Sequence, residues 1–254
     1  MTELSAPAKL TWFLEVTGVR EDGQHLLRSE MVSLNLADTV AIEPAQRTTV
    51  SWRSVHGVRL DRPMGGDDLV ERALLLARRT AQVTVTKRIP LGGGLGGGSS
   101  DAAAVLRWAQ TTDLEAAAGL GGDVPYCVVG GRATVEGIGE KVTPLAFEAR
   151  TVTLIVAPFG IDTAACYRAY DTLVASGQRP GGRNHLRAAA CVVEPQLGVA
   201  MSWCAAELGR TVELCGSGST MFVEGSLDEH RDEWVLSSPV GVLRFLRATT
   251  VAAT

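Results

Sequence analysis

The sequence predicts an α+β fold, in which strands and helices are mixed without a strict alternation. Three observations indicate this class. The first third of the chain is rich in apolar, β-prone runs; a glycine run near its middle is followed by an alanine-rich segment; and the last part carries helix and strand patterns together. The 254 residues, 46% of them hydrophobic, are enough to bury a substantial core.

The first third is predicted to consist mainly of strands. Arg20-Glu21-Asp22-Gly23 has the composition of a turn between two apolar runs. The predicted strands of this region are Leu10–Thr17, Leu26–Leu36, Val40–Glu43, Thr49–Trp52 and Val83–Thr86. A helix is predicted over Asp68–Arg79, because acidic residues start the segment, apolar residues recur at helical spacing and two arginines end it.

The rest of the chain is predicted to contain both helices and strands. Ser99-Ser100-Asp101 is expected to cap a helix that runs to about Gln110, and short strands are expected from Asp123 to about Pro144. The later predicted elements are a strand at Val152–Ala157, helices near Ala164–Ala175 and Gln196–Leu208, a surface loop from Ser176 to Arg183, and strands near Val212, Met221 and Val242.

Composition limits the classes of partner. With 24 Lys+Arg against 28 Asp+Glu, the net charge of −4 gives no general attraction to nucleic acid or to an anionic membrane. No apolar stretch is long enough to span a bilayer, and the N-terminus has no export signal. The five cysteines show no C-x-x-C spacing, which argues against a disulfide framework or a zinc cluster. We therefore expect a cytoplasmic protein, a monomer or weak homodimer, without nucleic-acid or membrane partners.

The glycine run is the most informative segment of the chain. Six of the seven residues from Gly92 to Gly98 are glycine, so the backbone can close around a ligand without interference from Cβ atoms. Between a strand and a helix, such a loop directs free N–H groups and the positive helix end toward one point, which suits a phosphate. The predicted phosphate-binding residues are Pro90, Leu91, Gly92, Gly93, Gly94, Leu95, Gly96, Gly97, Gly98, Ser99 and Ser100.

Other interpretations of the glycine run are weaker. Gly92-x-Gly94-x-x-Gly97 formally matches the dinucleotide fingerprint, but no acidic residue that ends a second strand follows at the required distance. A Walker A loop is excluded, because Gly98 is followed by two serines and no lysine. A flexible Gly/Ser linker is the structural alternative, although such linkers rarely lie between a β-branched strand and a helix.

The segment from Ile89 to Ala104 resembles the phosphate-binding motif of the GHMP kinases, in the form carried by the diphosphocytidyl-methylerythritol kinases. Further segments are similar to that family's motifs and follow in the same order, so the resemblance extends over nearly the whole chain. They are Ala6–Leu10 with Arg20–His25, Leu120–Pro125 with Gly137–Glu140, and Gly216–Ser219.

The resemblance implies a fold and an activity. The fold is an N-terminal ATP-binding domain over residues 1–148, with a left-handed βαβ crossover, and a C-terminal α+β domain over residues 149–254. The activity is ATP-dependent phosphorylation of the 2-hydroxyl of a cytidine diphosphate sugar alcohol, 4-diphosphocytidyl-2-C-methyl-D-erythritol, in the non-mevalonate pathway to isoprenoid precursors. Mg²⁺ is expected to be bound mainly through the ATP phosphates, because the sequence shows no dense cluster of metal ligands and assigns no residue to a metal.

The resemblance also implies residue roles. Asp123 matches the base that takes the proton of the attacking hydroxyl, and Lys9 matches a lysine that keeps this carboxylate ionised. Considered alone, Asp123 would be interpreted as a turn or cap residue and Lys9 as a surface lysine. His25 is implied to hydrogen-bond the cytosine. The other implied substrate-binding residues are Thr11, Gln24, Tyr167, Gly216, Ser217 and Gly218.

Several positions depart from the family pattern. Gln24 stands where tyrosine is usual, so Tyr167 is the candidate for the ring that stacks on the base. The other departures are Thr11 for asparagine, Gly122 for alanine, Cys215 for serine or threonine, His185 for aspartate, and a shorter segment between Trp108 and Gly121. Two alternatives therefore stay open: a GHMP kinase acting on another small alcohol, such as mevalonate or homoserine, and a catalytically idle relative that binds nucleotide.

Overall fold

The computed structural model of the protein describes residues 1–55 and 68–253. Helices and strands are mixed along the described chain, as the sequence predicts. The strands are β1 (Thr2–Val19), β2 (His25–Pro44), β3 (Thr49–Ser54), β4 (Ala81–Lys87), β5 (Arg132–Gly137), β6 (Lys141–Pro144), β7 (Thr151–Val156), β8 (Glu213–Leu214), β9 (Met221–Glu224), β10 (Glu233–Ser238) and β11 (Gly241–Val251). The helices are α1 (Leu69–Leu76), α2 (Gly97–Trp108), α3 (Leu114–Ala118), α4 (Val124–Val129), α5 (Thr163–Ala175), α6 (Arg187–Val193) and α7 (Pro195–Leu208).

The predicted strands of the first third are present but longer than expected. Leu26–Leu36 and Val40–Glu43 are parts of one strand, β2, and not two strands. The apolar pattern breaks between them because Asp38 is buried, where its carboxylate pairs with Lys87. In the local sequence, a charged residue ends a hydrophobic run, because the distant partner that allows its burial is not part of that segment.

Helix α2 begins two residues earlier than predicted and lacks the expected side-chain cap. Gly96 occupies the N-cap position with a left-handed φ of 68°, and no side chain bonds to the free N–H groups there. Ser99, Ser100 and Asp101 therefore lie inside the first turns of α2, and the predicted cap is wrong. The free N–H groups remain available to a ligand at the start of this helix.

The segment after Asp123 also differs from the prediction. Val124–Val129 forms helix α4 instead of a strand, because Pro125 fits the first turn of a helix and Asp123 takes the N-cap position. Helices α3 and α6 and strand β10 were not predicted, since segments of five to seven residues show too little periodicity. The expected strands near Val152, Met221 and Val242 and the expected helices α5 and α7 are confirmed.

Strand β2 is the centre of the architecture. It pairs antiparallel with β1, β4 and β5, and near its middle with the end of β11, through Thr250 and Leu34. This last pairing joins the first and second halves in one sheet with the strand order β3-β4-β2-β11-β7-β9-β8. Strands β3 and β4 are parallel and are connected through α1, so a βαβ unit ends at the glycine run.

Three buried clusters form the core. One packs α1, α2 and α4 against β2 and β4, and another packs α5, α6 and α7 against β7, β9 and β11. The third lies between them and unites Ile89 and Leu95, beside the glycine run, with Cys215 and Phe222. The predicted division after residue 148 stays a prediction. In the part of the chain that the structure describes, no helix is long and apolar enough to cross a membrane.

Candidate active site

The glycine run forms a loop between β4 and α2. Gly92, Gly94 and Gly96 have φ values of +70°, +73° and +68°, in the left-handed region that disfavours side chains. A Cβ on Gly94 would lie 2.7 Å from the carbonyl oxygen of Gly218. Gly94 is therefore required both for its backbone conformation and for the contact between this loop and a second glycine loop.

The second glycine loop connects β8 to β9 and holds the first one in place. The backbone N–H of Thr220 donates to the carbonyl of Gly93 at 3.1 Å. On the opposite side, the backbone N–H of Lys9 donates to the carbonyl of Leu95 at 2.9 Å. The glycine run is thus fixed between β1 and the second loop, which are far apart in the sequence.

The side chain of Asn184 holds the second glycine loop in place. Its buried amide donates to the carbonyl oxygens of Leu214 at 2.9 Å and Gly216 at 2.7 Å. Its side-chain oxygen accepts from the backbone N–H of Leu186 at 2.9 Å. Asn184 has no role in the sequence-based prediction, and its hydrogen bonds show that it positions the loop.

Lys9 and Asp123 meet beside the glycine run. The Lys9 Nζ lies 3.3 Å from Asp123 Oδ2 and donates to the Thr11 hydroxyl at 3.1 Å. Asp123 occupies the N-cap position of α4, but its side chain does not cap that helix. The Lys9 side chain is 6% exposed and that of Asp123 is 33% exposed, so the carboxylate is the accessible member of the pair.

The charge of Lys9 is fixed by its partner. Burial lowers the pKa of Lys9, but the charge of Asp123 and the hydrogen bond between them outweigh this effect, and the pKa is raised overall. Lys9 therefore stays an ammonium ion at neutral pH.

Cys215 joins three parts of the site. Its Sγ accepts from the backbone N–H of Thr11 at 3.5 Å and donates to the carbonyl of Gly94 at 3.6 Å. Burial raises the pKa of the Cys215 thiol, so this side chain is neutral at physiological pH. The thiol thus connects β1 with the two glycine loops.

Sequence analysis missed a buried ion cluster under the glycine run. Lys87 donates to the carboxylate of Asp38 and, at 2.7 Å, to that of Asp101. All three residues are at most 1% exposed. A Cβ on Gly97 would lie 3.1 Å from Lys87 Nζ, so the cluster is packed against the first turn of α2. Lys87 and Asp101, on either side of the glycine run, could have indicated an ion pair, but Asp38 is far away in the sequence.

The ion cluster contains one ammonium and two carboxyl groups. Asp38 accepts further hydrogen bonds from the backbone N–H groups of Arg88 and Ile89, at 2.5 and 2.9 Å. The Asp101 Oδ1 has no hydrogen-bond partner among the described residues. Burial, opposed by Lys87 and reinforced by the charge of Asp38, raises the pKa of Asp101 to about 7. Asp101 therefore gains a proton at a higher pH than an exposed aspartate does.

His25 and Tyr167 form a second subsite at the start of β2. Their rings are stacked, with centroids 4.7 Å apart and an angle of 29° between the planes. The His25 Nε2 is 2.7 Å from Asp171 Oδ1. The ring of Tyr170 lies edge-on to His25, with 6.0 Å between the ring centroids. Asp171 was not predicted, although it lies four residues after Tyr167 and hence on the same face of α5.

One cleft of about 580 Å³ connects the two subsites. It is lined by His25 and Tyr167 and also by Asp123 and Ser99. Its other lining residues are Gly23, Gln24, Leu27, Ser29, Met31, Gly122, Val135, Ile138, Gly139, Thr163, Ala164, Arg168 and Asp171. The structure thus brings the predicted base-binding, catalytic and phosphate-binding residues to a single cavity.

Gln24 lies at the rim of this cleft, on the tip of the β1–β2 hairpin. Its side-chain amide donates to Asp22 Oδ2 at 3.3 Å, and its backbone N–H donates to Asp22 Oδ1 at 3.2 Å. Asp22 is in turn paired with Arg20, whose hydrogen bond lowers the pKa of Asp22 to about 2. Gln24 is therefore engaged with its own hairpin and presents no aromatic surface to the cleft.

The remaining predicted residues differ in their placement. Ser217 Oγ is hydrogen-bonded to Thr163 Oγ1 at 2.9 Å, and a Cβ on Gly216 would lie 3.2 Å from Lys9 Nζ. The second glycine loop therefore lies against both α5 and Lys9. Leu91 is 42% exposed, whereas the Ser100 hydroxyl is buried and has no partner in the described part of the chain. The backbone N–H of Ser100 is bonded within α2, to the carbonyl of Gly96 at 2.8 Å.

Comparison with known proteins identifies the family. Residues 68–131 match the model of the GHMP kinases N terminal domain. A 4-diphosphocytidyl-2-C-methyl-D-erythritol kinase of Polaromonas sp. is 37% identical over 256 residues, covering 87% of this chain and 82% of the relative. The enzyme of that name from Aromatoleum aromaticum is 31% identical, covering 99% and 94%. The chain belongs to the 4-diphosphocytidyl-2-C-methyl-D-erythritol kinase family.

The structural comparison agrees with this assignment. A crystal structure of 4-(cytidine 5'-diphospho)-2C-methyl-D-erythritol kinase superimposes with a TM-score of 0.72 at 29% identity, over 98% of this chain and 99% of that one. Mevalonate kinase from L. major shares the fold alone, with a TM-score of 0.62 and 12% identity. The predicted GHMP kinase fold is thus confirmed, and the membership of this family makes the protein an ATP-dependent kinase.

Proposed function

We propose that the protein transfers the γ-phosphoryl group of ATP to the 2-hydroxyl of 4-diphosphocytidyl-2-C-methyl-D-erythritol. The observation that carries this proposal is the single cleft that runs from His25 and Tyr167 to Asp123 and Ser99. A substrate with a base at one end and an alcohol at the other fits a cavity with an aromatic subsite at one end and a carboxylate at the other. Two relatives are named 4-diphosphocytidyl-2-C-methyl-D-erythritol kinase, and their names support the choice of this substrate.

Asp123 is the general base of the proposed reaction. Its partly exposed carboxylate accepts the proton of the attacking hydroxyl, and Lys9 keeps this carboxylate ionised before transfer. Lys9 also places a positive charge where negative charge develops on the transferred group. Phosphoryl transfer requires mainly in-line positioning and charge neutralisation, and both can be supplied by these two residues and the glycine run.

The start of α2 supplies the proposed nucleotide site. Its free N–H groups have no side-chain cap, and the left-handed glycines turn the backbone toward a ligand. Mg²⁺ would neutralise the charge of the ATP phosphates when bound. The residues near this loop fit such an ion, since Ser99 offers an oxygen to the cleft and, among the described residues, no group of three or more His, Cys, Asp or Glu competes for the metal.

His25 and Tyr167 form the proposed cytosine subsite. If the Nε2–H of His25 donates to Asp171, the Nδ1 atom is left as an acceptor, which matches the amino group of cytosine. Gln24 adds no ring, so stacking depends on Tyr167. Asp171 is then a positioning residue that fixes the orientation of the imidazole.

A substrate panel read by product mass tests the proposed function. The purified protein with Mg-ATP is given the cytidine diphosphate sugar alcohol, mevalonate and homoserine in parallel. We expect a mass gain of one phosphoryl group on the cytidine substrate alone. Phosphorylation of mevalonate or homoserine in its place would support the alternative kinase, which the absence of a ring at Gln24 favours. No turnover with any alcohol would indicate an idle nucleotide-binding relative.

A further inference from the structure

The cleft walls carry an unequal distribution of charge. Among the described residues that line the cleft, Asp123 and Asp171 are acidic and Arg168 is the one arginine or lysine. Lys9 is buried behind Asp123 and already contacts that carboxylate and the Thr11 hydroxyl. A substrate with a diphosphate in its middle would therefore meet two carboxylates and needs a cation between the two ends of the cleft.

Arg168 lies on the face of α5 that lines the cleft. The residues of this helix that line the cleft are Thr163, Ala164, Tyr167, Arg168 and Asp171. Its C-terminal part touches His25, and its first residue, Thr163, touches the second glycine loop through Ser217. Because side chains in a helix tilt toward its N-terminus, the Arg168 guanidinium extends from the level of the base subsite toward the catalytic end.

The ion pair of Arg168 confirms this direction. Its Nη2 lies 3.8 Å from Asp162 Oδ1, at the N-cap of α5. The same Asp162 oxygen already accepts the backbone N–H of Ala165 at 2.5 Å. Both side chains of the pair are about 70% exposed, and contacts of this kind contribute little to stability.

A diphosphate would be a better partner for this guanidinium. Its oxygens can accept two parallel hydrogen bonds from the planar fork of an arginine, whereas Asp162 offers one distant oxygen that is already engaged. The cost of releasing Arg168 from Asp162 is small because the pair is long and solvated. Arg168 can therefore move from its resting contact to a bound ligand.

We infer that Arg168 binds the diphosphate of the cytidine substrate and is a specificity-determining residue of the cleft. The inference rests on the proposed function. Through this contact, Arg168 favours a nucleoside diphosphate alcohol, which reaches from the base subsite across Arg168 to Asp123, over a small alcohol that carries no phosphate at this point. Arg168 does not contact the transferred phosphoryl group, so its contribution belongs to substrate binding.

Steady-state kinetics of Arg168→Ala test this inference. We expect the KM for the cytidine substrate to rise roughly 10-fold or more, the size of a lost charge-assisted contact, with kcat and the KM for ATP within about twofold of the wild type. Arg168→Lys keeps a charge without the fork and should fall between the two. Arg179→Ala removes an exposed arginine from a loop outside the cleft and should leave all constants unchanged.

Two further measurements separate a direct contact from a structural effect. The KM of the wild type should rise with NaCl concentration, and this dependence should be weaker in Arg168→Ala, because salt screens an ionic contact. Asp162→Asn keeps the helix cap but removes the competing charge, so its KM should fall about twofold. An unchanged KM in Arg168→Ala, or an equal loss in all constants, would overturn the inference.

The proposed function fails by a different result. If the wild type does not phosphorylate the cytidine substrate at all, the function is wrong, and the Arg168 variants are not needed to show it. If the wild type phosphorylates this substrate and Arg168→Ala does so with the same KM and the same dependence on salt, the function stands and the inference about Arg168 is wrong.

Discussion

At the scale of single residues, Asp123 and Lys9 form the unit on which the proposed reaction depends. The lysine is buried and its charge is fixed by the aspartate, while the carboxylate remains accessible from the cleft. Two groups that act together should show strongly non-additive effects when they are replaced one at a time.

Replacement of Asp123 by asparagine should therefore impair catalysis more than binding. We expect kcat to fall about 10²-fold or more, the size of a lost general base, with the KM for the cytidine substrate little changed. Lys9→Met should also lower kcat, and the double variant should lose less than the product of the two single losses. A near-normal kcat in Asp123→Asn would remove this residue from the proposed role.

Asp101 gives a prediction about stability and pH. Its pKa is about 7 in the folded protein and 3.8 in an unfolded chain, so the folded state binds more protons between these values. The contribution of Asp101 to stability is greatest below pH 3.8 and is lost as the pH rises toward 7. Asp101→Asn does not titrate, so its stability relative to the wild type should increase with pH.

Urea denaturation of both proteins at pH 5 and pH 8 measures this difference. The free energy of unfolding of Asp101→Asn, minus that of the wild type, should be larger at pH 8 by about 1–3 kcal/mol. A difference that is independent of pH would mean that Asp101 is ionised in the fold throughout this range. The comparison within each pH cancels the titration of groups that do not contact the ion cluster.

At the scale of elements, the start of α2 is both the proposed nucleotide site and a surface packed against Lys9. A Cβ on Gly96 would lie 2.6 Å from the Cγ of Lys9, so a substitution there displaces the lysine that pairs with Asp123. Gly96→Val is therefore not a clean test of nucleotide binding. Gly98 lies in the first turn of α2 and is exposed. Among the described residues, a Cβ there would meet only Leu69, at 3.6 Å.

Gly98→Ala is the sharper test of the nucleotide loop. Because alanine favours a helix, the protein should be equally stable or more stable by up to about 1 kcal/mol. The KM for ATP should nevertheless rise about 10-fold or more, since the methyl group enters the space of a phosphate held by backbone N–H groups. Gly181→Ala, in an exposed loop with open space around it, is the matched control. Unchanged ATP binding would place the phosphates elsewhere.

The tip of the β1–β2 hairpin carries the departure at Gln24. A tyrosine at this position would face the cleft beside His25, and stacking of an aromatic ring on a base is worth roughly 1–3 kcal/mol. Gln24→Tyr should therefore lower the KM for the cytidine substrate about 5-fold or more and leave the KM for ATP unchanged. If Gln24→Tyr and Tyr167→Ala both leave this KM unchanged, the base does not bind at this end of the cleft.

At the scale of the whole molecule, the cleft is assembled from distant parts of the chain. The β1–β2 hairpin, the start of α2, the loop before α4 and helix α5 each provide part of its wall. Ligands that contact several of these elements should stabilise the whole fold. At a ligand concentration of 100 times Kd this gain is about 2.7 kcal/mol, which corresponds to an increase in Tm of roughly 5–10 °C for a chain of this size.

Thermal denaturation with Mg-ATP, with ATP and EDTA, and with the cytidine substrate alone measures this effect. We expect a clear increase in Tm with Mg-ATP and a smaller one when EDTA removes the metal, because Mg²⁺ neutralises the phosphates near the glycine run. Homoserine should give no shift. Equal shifts with and without EDTA would show that the metal takes no part in nucleotide binding.

The sequence by itself was sufficient to predict the motifs and the class of fold. The glycine run, the order of the four motifs and the helical spacing in α1, α5 and α7 are local patterns, and local patterns are determined by neighbouring residues. The resemblance to the family then named Lys9, Asp123, His25 and Tyr167 before any geometry was known. Their roles in catalysis and binding remain proposals for the experiments described above.

The tertiary structure decided what depends on contacts between distant residues. Asp38 breaks the apolar pattern of β2 because its partner, Lys87, lies beyond the next helix. In the same way, Asp171 contacts a histidine 146 positions away. The same holds for α2, which begins at Gly97 because the backbone packs against Lys9 and not because a serine caps it. Such contacts leave no periodic signal, since their energy comes from burial and pairing that exist only in the assembled fold.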